Sequence, residues 1–309
     1  MRKTASAVVS LALAAATALL MAPAVASADP ASDTETEIHE PDAGDSTDGE
    51  VGAQYSWYTG TMAPGATANR QWNNAPAGNV YEVSFRPTGA TTAVSCQFEK
   101  IRDWYAQQPG GEREYHYTIK NISSISCAAT VYLSAVNDSH TGSTPGIDPG
   151  SSFTNHWNNA NPQDYIYLFG LSPQGATSSS ACQLEVTRTW YERSSSTERE
   201  FYFTIKNVGS ITCAAETLYA KKPATSTWSS GSIAAGGSGL QVWNNPSAGV
   251  VFLLGLNPSG VSCELEVTRS WYVQRINSDG TTKYLLYFYV KNLAASSCSG
   301  TVQLTSIAA

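Results

Sequence analysis

A tryptophan followed by two asparagines occurs three times in the chain, and these residue types suit carbohydrate recognition. The triplets are Trp72-Asn73-Asn74, Trp157-Asn158-Asn159 and Trp243-Asn244-Asn245. An indole face can stack on a pyranose ring, and asparagine amides can bond its hydroxyls. Three weak sites would gain affinity from multivalency. The alternative is structural: a tryptophan closes a strand into a core, and the asparagines form a turn. Glycan binding predicts exposed triplets, whereas the structural interpretation predicts buried ones.

A second recurring set combines arginine, tryptophan and tyrosine. Its members are Arg102, Trp104 and Tyr105, then Arg188, Trp190 and Tyr191, and finally Arg269, Trp271 and Tyr272. On a strand, residues two apart share a face, so each arginine is expected to lie against its tryptophan in a cation–π contact. The same residue types are enriched in protein-interface hot spots. The set therefore predicts either a structural contact or an interaction patch.

The chain has six cysteines, and two of them follow each Trp-Asn-Asn triplet in the sequence. We call each triplet with the residues around it a copy. An even number of cysteines favours disulfides in an exported chain. Pairing within each copy is the simplest connectivity because every copy then forms the same closed unit. The expected pairs are Cys96–Cys127, Cys182–Cys213 and Cys263–Cys298. Zinc is the weaker interpretation, since paired CxxC spacing is absent and no histidine recurs near the cysteines. We expect no metal and no cofactor.

Catalytic constellations are not evident in the sequence. None of the four histidines recurs, and G-x-S-x-G is missing. Glu99, Glu185 and Glu266 do recur, but a glycosidase-type pair needs a second recurring acid. The sequence therefore predicts a protein that is not an enzyme.

The N-terminal region has the composition of an exported protein. Residues 1–28 resemble a signal peptide, with Arg2 and Lys3 before an apolar run and Ala26-Ser27-Ala28 as the cleavage site. An uncleaved membrane anchor is the alternative. Residues 29–50 contain nine acidic and no basic residues, which predicts a disordered acidic leader. The expected localisation is secreted and extracellular, with no membrane span.

Charge excludes one class of partner. The whole chain carries −7, and removing the two basic residues of the signal and the nine acidic residues of the leader leaves 16 of each sign. A nucleic-acid-binding protein needs an excess of basic residues to neutralise phosphates. We therefore expect no nucleic acid, and as partner a glycan, a cell-surface component or another secreted protein.

Internal repetition sets the expected domain organisation. The tryptophans of the triplets lie 85 and 86 residues apart, so a unit of about 85 residues occurs three times. We expect units at 51–137, 138–222 and 223–309. Alternating patterns such as Cys263, Leu265 and Val267 against polar neighbours predict half-buried antiparallel strands, six in each unit. The first copy departs from the pattern at Lys100, which stands where the others have valine.

A hairpin register follows from recurring charges. Opposing Glu99 to Lys120, Glu185 to Lys206 and Glu266 to Lys291 places Tyr105 opposite Glu114, Tyr191 opposite Glu200 and Tyr272 opposite Leu285. Two strands flanking a common middle strand lie about 9.6 Å apart, beyond the roughly 7 Å limit of a disulfide. The strand after each second cysteine must therefore lie in a facing sheet. The predicted fold class is all-β, with three tandem antiparallel β-sandwich repeats and one disulfide in each.

The alternating aromatics and the Thr-Ile-Lys-Asn-Val-Gly-Ser string at 204–210 resemble the immunoglobulin-like sandwich repeats of bacterial secreted and surface proteins. The resemblance covers about 25 residues of each unit and implies a sandwich fold with an adhesive or scaffolding role. It carries no catalytic residue, and the tryptophan–disulfide arrangement of immunoglobulins is not matched. Two functions are expected: a multivalent glycan- or cell-surface-binding protein, or a structural or inhibitor-like protein-interaction repeat.

Overall fold

Every regular element that the structure describes is a β-strand, which confirms the all-β prediction. The structure is a computed structural model that describes residues 54–137, 140–158, 160–244 and 246–308. The predicted signal peptide (1–28), acidic leader (29–50) and the outermost residues of the predicted units lie outside the described residues. Within the described ranges, no helix has the length and apolar character needed to cross a membrane.

Eighteen strands are described, and we group them by position in the chain. The first segment contains β1 (Gln54–Tyr58), β2 (Thr67–Trp72), β3 (Asn79–Thr88), β4 (Cys96–Gln107), β5 (Arg113–Asn121) and β6 (Ala128–Asn137). The second contains β7 (His140–Ser143), β8 (Ser152–Trp157), β9 (Tyr165–Gln174), β10 (Cys182–Arg193), β11 (Glu200–Asn207) and β12 (Ala214–Pro223). The third contains β13 (Ser226–Ser229), β14 (Ser238–Asn244), β15 (Val250–Ser259), β16 (Cys263–Ile276), β17 (Thr282–Asn292) and β18 (Ser299–Ala308).

The strands form three small sheets and one large one. The small sheets have the orders β1-β6-β3, β7-β12-β9 and β13-β18-β15. The remaining nine strands, three from each segment, belong to one shared sheet. In every segment, the strand after the second cysteine lies in a different sheet from the strand that begins at the first cysteine, as predicted.

Three disulfides join the sheets with the predicted pairing. The Cα–Cα distances are 5.8 Å for Cys96–Cys127, 5.6 Å for Cys182–Cys213 and 5.5 Å for Cys263–Cys298. These values lie within the usual disulfide range. Three disulfides are consistent with an extracellular protein.

The three long strands β4, β10 and β16 pair with one another and close a ring. Residues 104–107 of β4 pair with 182–185 of β10, residues 191–193 of β10 pair with 263–265 of β16, and residues 271–274 of β16 pair with 96–99 of β4. Each long strand thus gives one end to each of the other two. The large sheet therefore closes on itself at its centre instead of separating into three independent sheets.

The hairpin register is partly as predicted. Glu99 lies opposite Lys120, Glu185 opposite Lys206 and Glu266 opposite Lys291. The predicted tyrosine partners are wrong by one residue: the observed pairs are Tyr105–Tyr115, Tyr191–Phe201 and Tyr272–Leu286. The cause is a β-bulge at the same place in each copy, at Ile101, Thr187 and Thr268. A bulge inserts one unpaired residue, so the side chains beyond it change faces.

A recurring asparagine explains the Lys-Asn repetition seen in the sequence. Asn121, Asn207 and Asn292 are fully buried. Each donates to a carbonyl before the following cysteine, and each side-chain oxygen accepts a backbone N–H two residues later. A buried amide must be hydrogen-bonded to avoid a desolvation penalty. These asparagines therefore hold the loop that leads into the facing sheet.

The apolar interior has two parts. The larger contains the disulfides and most aromatic side chains of all three segments. The smaller, which we call the axial core, lies where β3, β9 and β15 meet, and includes Val80, Ile166, Leu168, Val251 and Leu253. The ring of long strands lies on the other side of a cavity from these three strands.

Candidate functional site

The three recurring glutamates bind arginines across the seams between segments. Arg102 Nε donates to Glu185 at 3.1 Å. Arg188 binds both oxygens of Glu266 at 2.7 and 3.0 Å, and Arg269 binds both oxygens of Glu99 at 2.7 Å each. The three pairs form a closed set that we call the arginine ring. The structure thus gives the glutamates arginine partners, although lysines lie opposite them in the hairpins.

Each ring arginine also contacts the tryptophan two residues later. The guanidinium carbons lie 4.8, 4.9 and 5.0 Å from the indole centroids of Trp104, Trp190 and Trp271. These are the predicted cation–π contacts. Each indole stacks further on an aromatic ring of the partner strand: His116 at 4.7 Å, Tyr202 at 4.9 Å and Tyr287 at 5.3 Å. A row of glutamate, arginine, tryptophan and aromatic ring therefore occurs three times; we call these the aromatic rows.

The tyrosines of the second predicted set lie on the opposite face. Tyr105, Tyr191 and Tyr272 are buried in the core. The bulge accounts for this, because it turns each tyrosine inward and leaves arginine and tryptophan together on the other side of the sheet. The Tyr191 hydroxyl bonds the backbone of Tyr167, and Tyr105 accepts the N–H of Tyr81.

The Trp-Asn-Asn triplets differ in exposure. Trp72 is only 6% exposed and packs on Tyr55 at 3.8 Å. Trp157 and Trp243 are partly buried; Trp157 contacts Tyr219 at 4.9 Å, and Trp243 stacks on Trp228 at 5.7 Å. Asn73 is half-buried and accepts a hydrogen bond from Gln71, whereas Asn74 is exposed.

The second asparagines of the other two triplets, Asn159 and Asn245, lie outside the described residues, while Asn158 and Asn244 are exposed. Buried Trp72 agrees with the structural interpretation. The partly exposed Trp157 and Trp243 leave room for the glycan interpretation, which stays a prediction.

A cavity of about 400 Å³ lies between the ring of long strands and the strands β3, β9 and β15. Its lining includes the three bulges and the three ring arginines. The arginine side chains are 41%, 39% and 44% exposed, whereas Leu168 and Leu253 on the other side are buried. The arginines therefore surround the solvent side of this axial cavity, and the axial core forms its floor.

One third of the cavity wall differs from the other two. The first segment places Glu82, Lys100 and Asp103 along the cavity. The equivalent positions hold Leu168, Val186 and Thr189 in the second segment and Leu253, Val267 and Ser270 in the third. A carboxylate, an ammonium and a second carboxylate thus stand where the other segments supply leucine, valine and a hydroxyl.

Two of these three charges bind each other. Lys100 Nζ lies 2.9 Å from Asp103 Oδ2, and the hydroxyl of Tyr115 donates to the same oxygen at 2.9 Å. Glu82 accepts no hydrogen bond from the described residues, although it is only partly exposed and feels the charge of Lys100. The three residues form a charged cluster in which Asp103 is satisfied and Glu82 is not.

Burial shifts the acid–base behaviour of the cluster. Burial raises the pKa of the Glu82 carboxyl; Lys100 opposes the rise and Asp103 adds to it. Burial alone lowers the pKa of Lys100, but the carboxylates of Asp103 and Glu82 outweigh burial, and the net shift is upward. Lys100 is therefore protonated near neutral pH, and Glu82 is the carboxyl whose charge is costly to maintain.

The charged side chains of the cavity wall are not arranged to hold a metal ion. Among the described residues, no cluster of three or more histidine, cysteine or acidic side chains is arranged to hold a metal. Glu82 and Asp103 are two carboxylates with a lysine bound to one of them, and a lysine repels a metal ion. The wall combines one free carboxylate, an ion-paired ring and apolar side chains.

Sequence reasoning identified Lys100 as a departure from the pattern and did not single out Glu82. A signal was present: Glu82 lies five residues before Pro87, and leucine occupies the same position before Pro173 and Pro258. A comparison of the three segments at the positions where they differ, and not only where they agree, identifies Glu82.

Comparisons of the chain with protein-family models, with curated proteins and with solved structures gave no match. The resemblance to immunoglobulin-like repeats therefore stays a prediction, and the function is argued from the geometry.

Proposed function

We propose that the chain is a secreted, non-enzymatic binding protein built from three tandem β-sandwich repeats that act together around one axis. The repetition of sequence, of strand order and of bulge position supports the three-repeat organisation. The shared central sheet makes the three repeats one binding unit.

The observation that carries the proposal is the threefold occurrence of the aromatic rows around the cavity. Each row combines a tryptophan, an arginine and a further aromatic ring, the residue types that dominate interface hot spots. The arginine and tryptophan side chains are partly exposed in all three rows. Three equivalent rows on one sheet would bind a repetitive or broad surface with added affinity.

The geometry of the rows favours a protein component of a cell surface over a sugar. Arginine packs on each indole, and a ring of the partner strand stacks on it as well. A pyranose needs an open indole face, whereas a protein can contact the edges of the whole row. We therefore propose that the aromatic rows bind an extracellular protein.

Glycan binding at the Trp-Asn-Asn triplets is the second candidate. Trp157 and Trp243 are partly exposed, and Asn158 and Asn244 beside them are exposed. Because Trp72 is buried, this mode would have two sites instead of three.

One experiment separates the candidates. The purified protein is applied to a glycan array and to an array of extracellular proteins, beside two variants: Trp104/Trp190/Trp271→Ala and Trp157/Trp243→Ala. The proposal expects binding to a protein that falls at least about tenfold in the first variant and is unchanged in the second. Glycan binding lost only in the second variant would support the second candidate, and no binding on either array would favour a purely structural role. Thermal unfolding of each variant checks the fold.

A further inference from the structure

We propose that the axial cavity binds a primary ammonium group carried on a short alkyl chain, with Glu82 as its counter-ion. The ammonium can belong to a free small amine or, if the proposed function holds, to a lysine side chain of the partner protein. The proposal for the free amine does not depend on the proposed function.

The charge balance of the cavity selects a monocation. Four ion pairs are closed, three in the arginine ring and one between Lys100 and Asp103. Of the acidic residues that line the cavity, Glu82 is the one to which the described residues give no ion pair or hydrogen bond. An anion would face arginines that already bind carboxylates, whereas a cation compensates the one excess negative charge.

The position of Glu82 favours a binding role over a purely structural one. Glu82 occupies in the first segment the position that Leu168 and Leu253 hold in the other two, and all three residues line the cavity. A partly buried carboxylate without a hydrogen-bond partner is costly, and a leucine at this position would continue the apolar floor. The adjacent volume of about 400 Å³ is in the range of small-ligand sites. The cost of the free carboxylate is offset when an ammonium enters that volume.

The lining favours an alkyl ammonium over a metal or a bulky quaternary ammonium. Val186 and Val267 supply apolar surface in the cavity wall. Glu82 offers two acceptor oxygens, and a primary ammonium has N–H donors to bond them, which a quaternary ammonium lacks. Donation to a charged acceptor gives the stronger class of hydrogen bond.

The test uses n-butylammonium chloride as probe and n-butanol as its neutral isostere. Saturation-transfer NMR and titration calorimetry are run on the purified, disulfide-intact protein at low ionic strength. We expect the ammonium to bind and the alcohol to bind at least about tenfold more weakly, because a hydrogen bond to a charged group is lost. Equal binding of the two probes would overturn the proposal.

Substitutions test whether n-butylammonium binds at Glu82. Glu82→Gln keeps the shape and should weaken n-butylammonium at least about tenfold. Glu216→Gln is the control, since Glu216 lies on β12 and does not line the cavity; it should leave the affinity for n-butylammonium unchanged. Lys100→Met should tighten binding, because the competing cation is removed. A folded Glu82→Gln protein with unchanged affinity would refute the proposal, as would weaker binding in Lys100→Met.

A final arm distinguishes the source of the ammonium. If an extracellular protein partner is found, n-butylammonium should compete with it, and substitution of one partner lysine should remove that competition. Absence of competition assigns the cavity to a free amine and leaves the proposed function of the aromatic rows intact. Failure of the free probe to bind, with partner binding retained, would refute this proposal alone.

Discussion

Two polar clusters of the molecule differ in whether their hydrogen-bonding groups have partners. Arg199 is fully buried where the second and third segments meet, and donates to five backbone carbonyls and to the side-chain oxygen of Gln303. In the charged cluster of the axial cavity, Glu82 has no such bonds from the described residues. Fully satisfied networks hold a fold together, whereas an unsatisfied charge beside a cavity needs another explanation. The contrast sets a structural cluster against the cluster for which we propose a binding role.

The largest effect is expected at Arg199. Arg199→Met leaves several buried carbonyls without a donor, and we expect a loss of about 3–5 kcal/mol in the free energy of unfolding. Arg113→Met is the matched control, because Arg113 holds the equivalent hairpin position in the first segment and is only half-buried. Its cost should stay below about 1 kcal/mol. Denaturant unfolding with intact disulfides measures both, and equal losses would contradict the contrast.

Replacing the whole charged cluster should not lower the stability of the protein, in contrast to replacing Arg199. Lys100→Val alone removes the ammonium that binds Asp103 and interacts with Glu82, leaves two partly buried carboxylates, and should cost about 1–3 kcal/mol. The triple variant Glu82→Leu, Lys100→Val and Asp103→Thr copies the wall of the second segment. Replacing a buried ion cluster by packed apolar residues is often neutral or stabilising, so the triple variant should be at least as stable as the natural chain.

Chemical denaturation of the single and triple variants gives the comparison directly. A triple variant that is less stable than Lys100→Val would mean that the charged cluster holds the fold, as Arg199 does. A stable triple variant that no longer binds n-butylammonium would assign the cluster to binding.

The correct predictions from the sequence concern features that depend on a recurring residue pattern within each segment. Disulfide pairing follows from recurrence of the cysteines and from their reach, and the opposition of Glu99 to Lys120 follows from strand alternation. The bulge at Ile101 was missed, because a single unpaired residue leaves no mark in an alternating pattern. This one residue moved Tyr105 into the core and placed Arg102 beside Trp104 on the other face.

The site could not be assembled from sequence for a different reason. Glu185 belongs to the second segment and binds Arg102 of the first, and such a contact depends on how the three segments close around the axis. Nothing in a single copy encodes that closure. The sequence does reveal the positions of the site at which the three segments differ. One example is Lys100, where the other segments have Val186 and Val267.

The pH dependence of stability offers a finer comparison. Burial raises the pKa of Glu82 in the folded protein above its unfolded value. The folded state therefore favours protonated Glu82, and this contribution to stability is present below the unfolded pKa and is lost as pH rises through the folded pKa. The charged groups along the cavity wall are Lys100, Arg102, Asp103, Glu185, Arg188, Glu266 and Arg269. The neutral phenols of Tyr105, Tyr115 and Tyr272 also interact with Glu82.

Glu82→Gln removes that titration without changing shape. We expect the variant to gain stability relative to the natural chain as pH rises from the unfolded pKa of glutamate through the raised folded pKa of Glu82. Unfolding curves of both proteins across this range make the measurement, and Glu185→Gln serves as the control. A constant difference between Glu82→Gln and the natural chain would show that Glu82 titrates as in the unfolded chain.

The smallest effect is expected in the arginine ring. Its arginines are about two-fifths exposed, and exposed ion pairs contribute about 0–1 kcal/mol. Arg188 binds both oxygens of Glu266, whereas Arg102 binds one oxygen of Glu185. Glu266→Gln should therefore cost more than Glu185→Gln, with both below about 1 kcal/mol. The difference should shrink in about 1 M salt, where screening acts over roughly 3 Å. A larger cost for Glu185→Gln, or a difference that salt leaves unchanged, would mean that packing on Trp104 and Trp190, and not charge, holds the ring together.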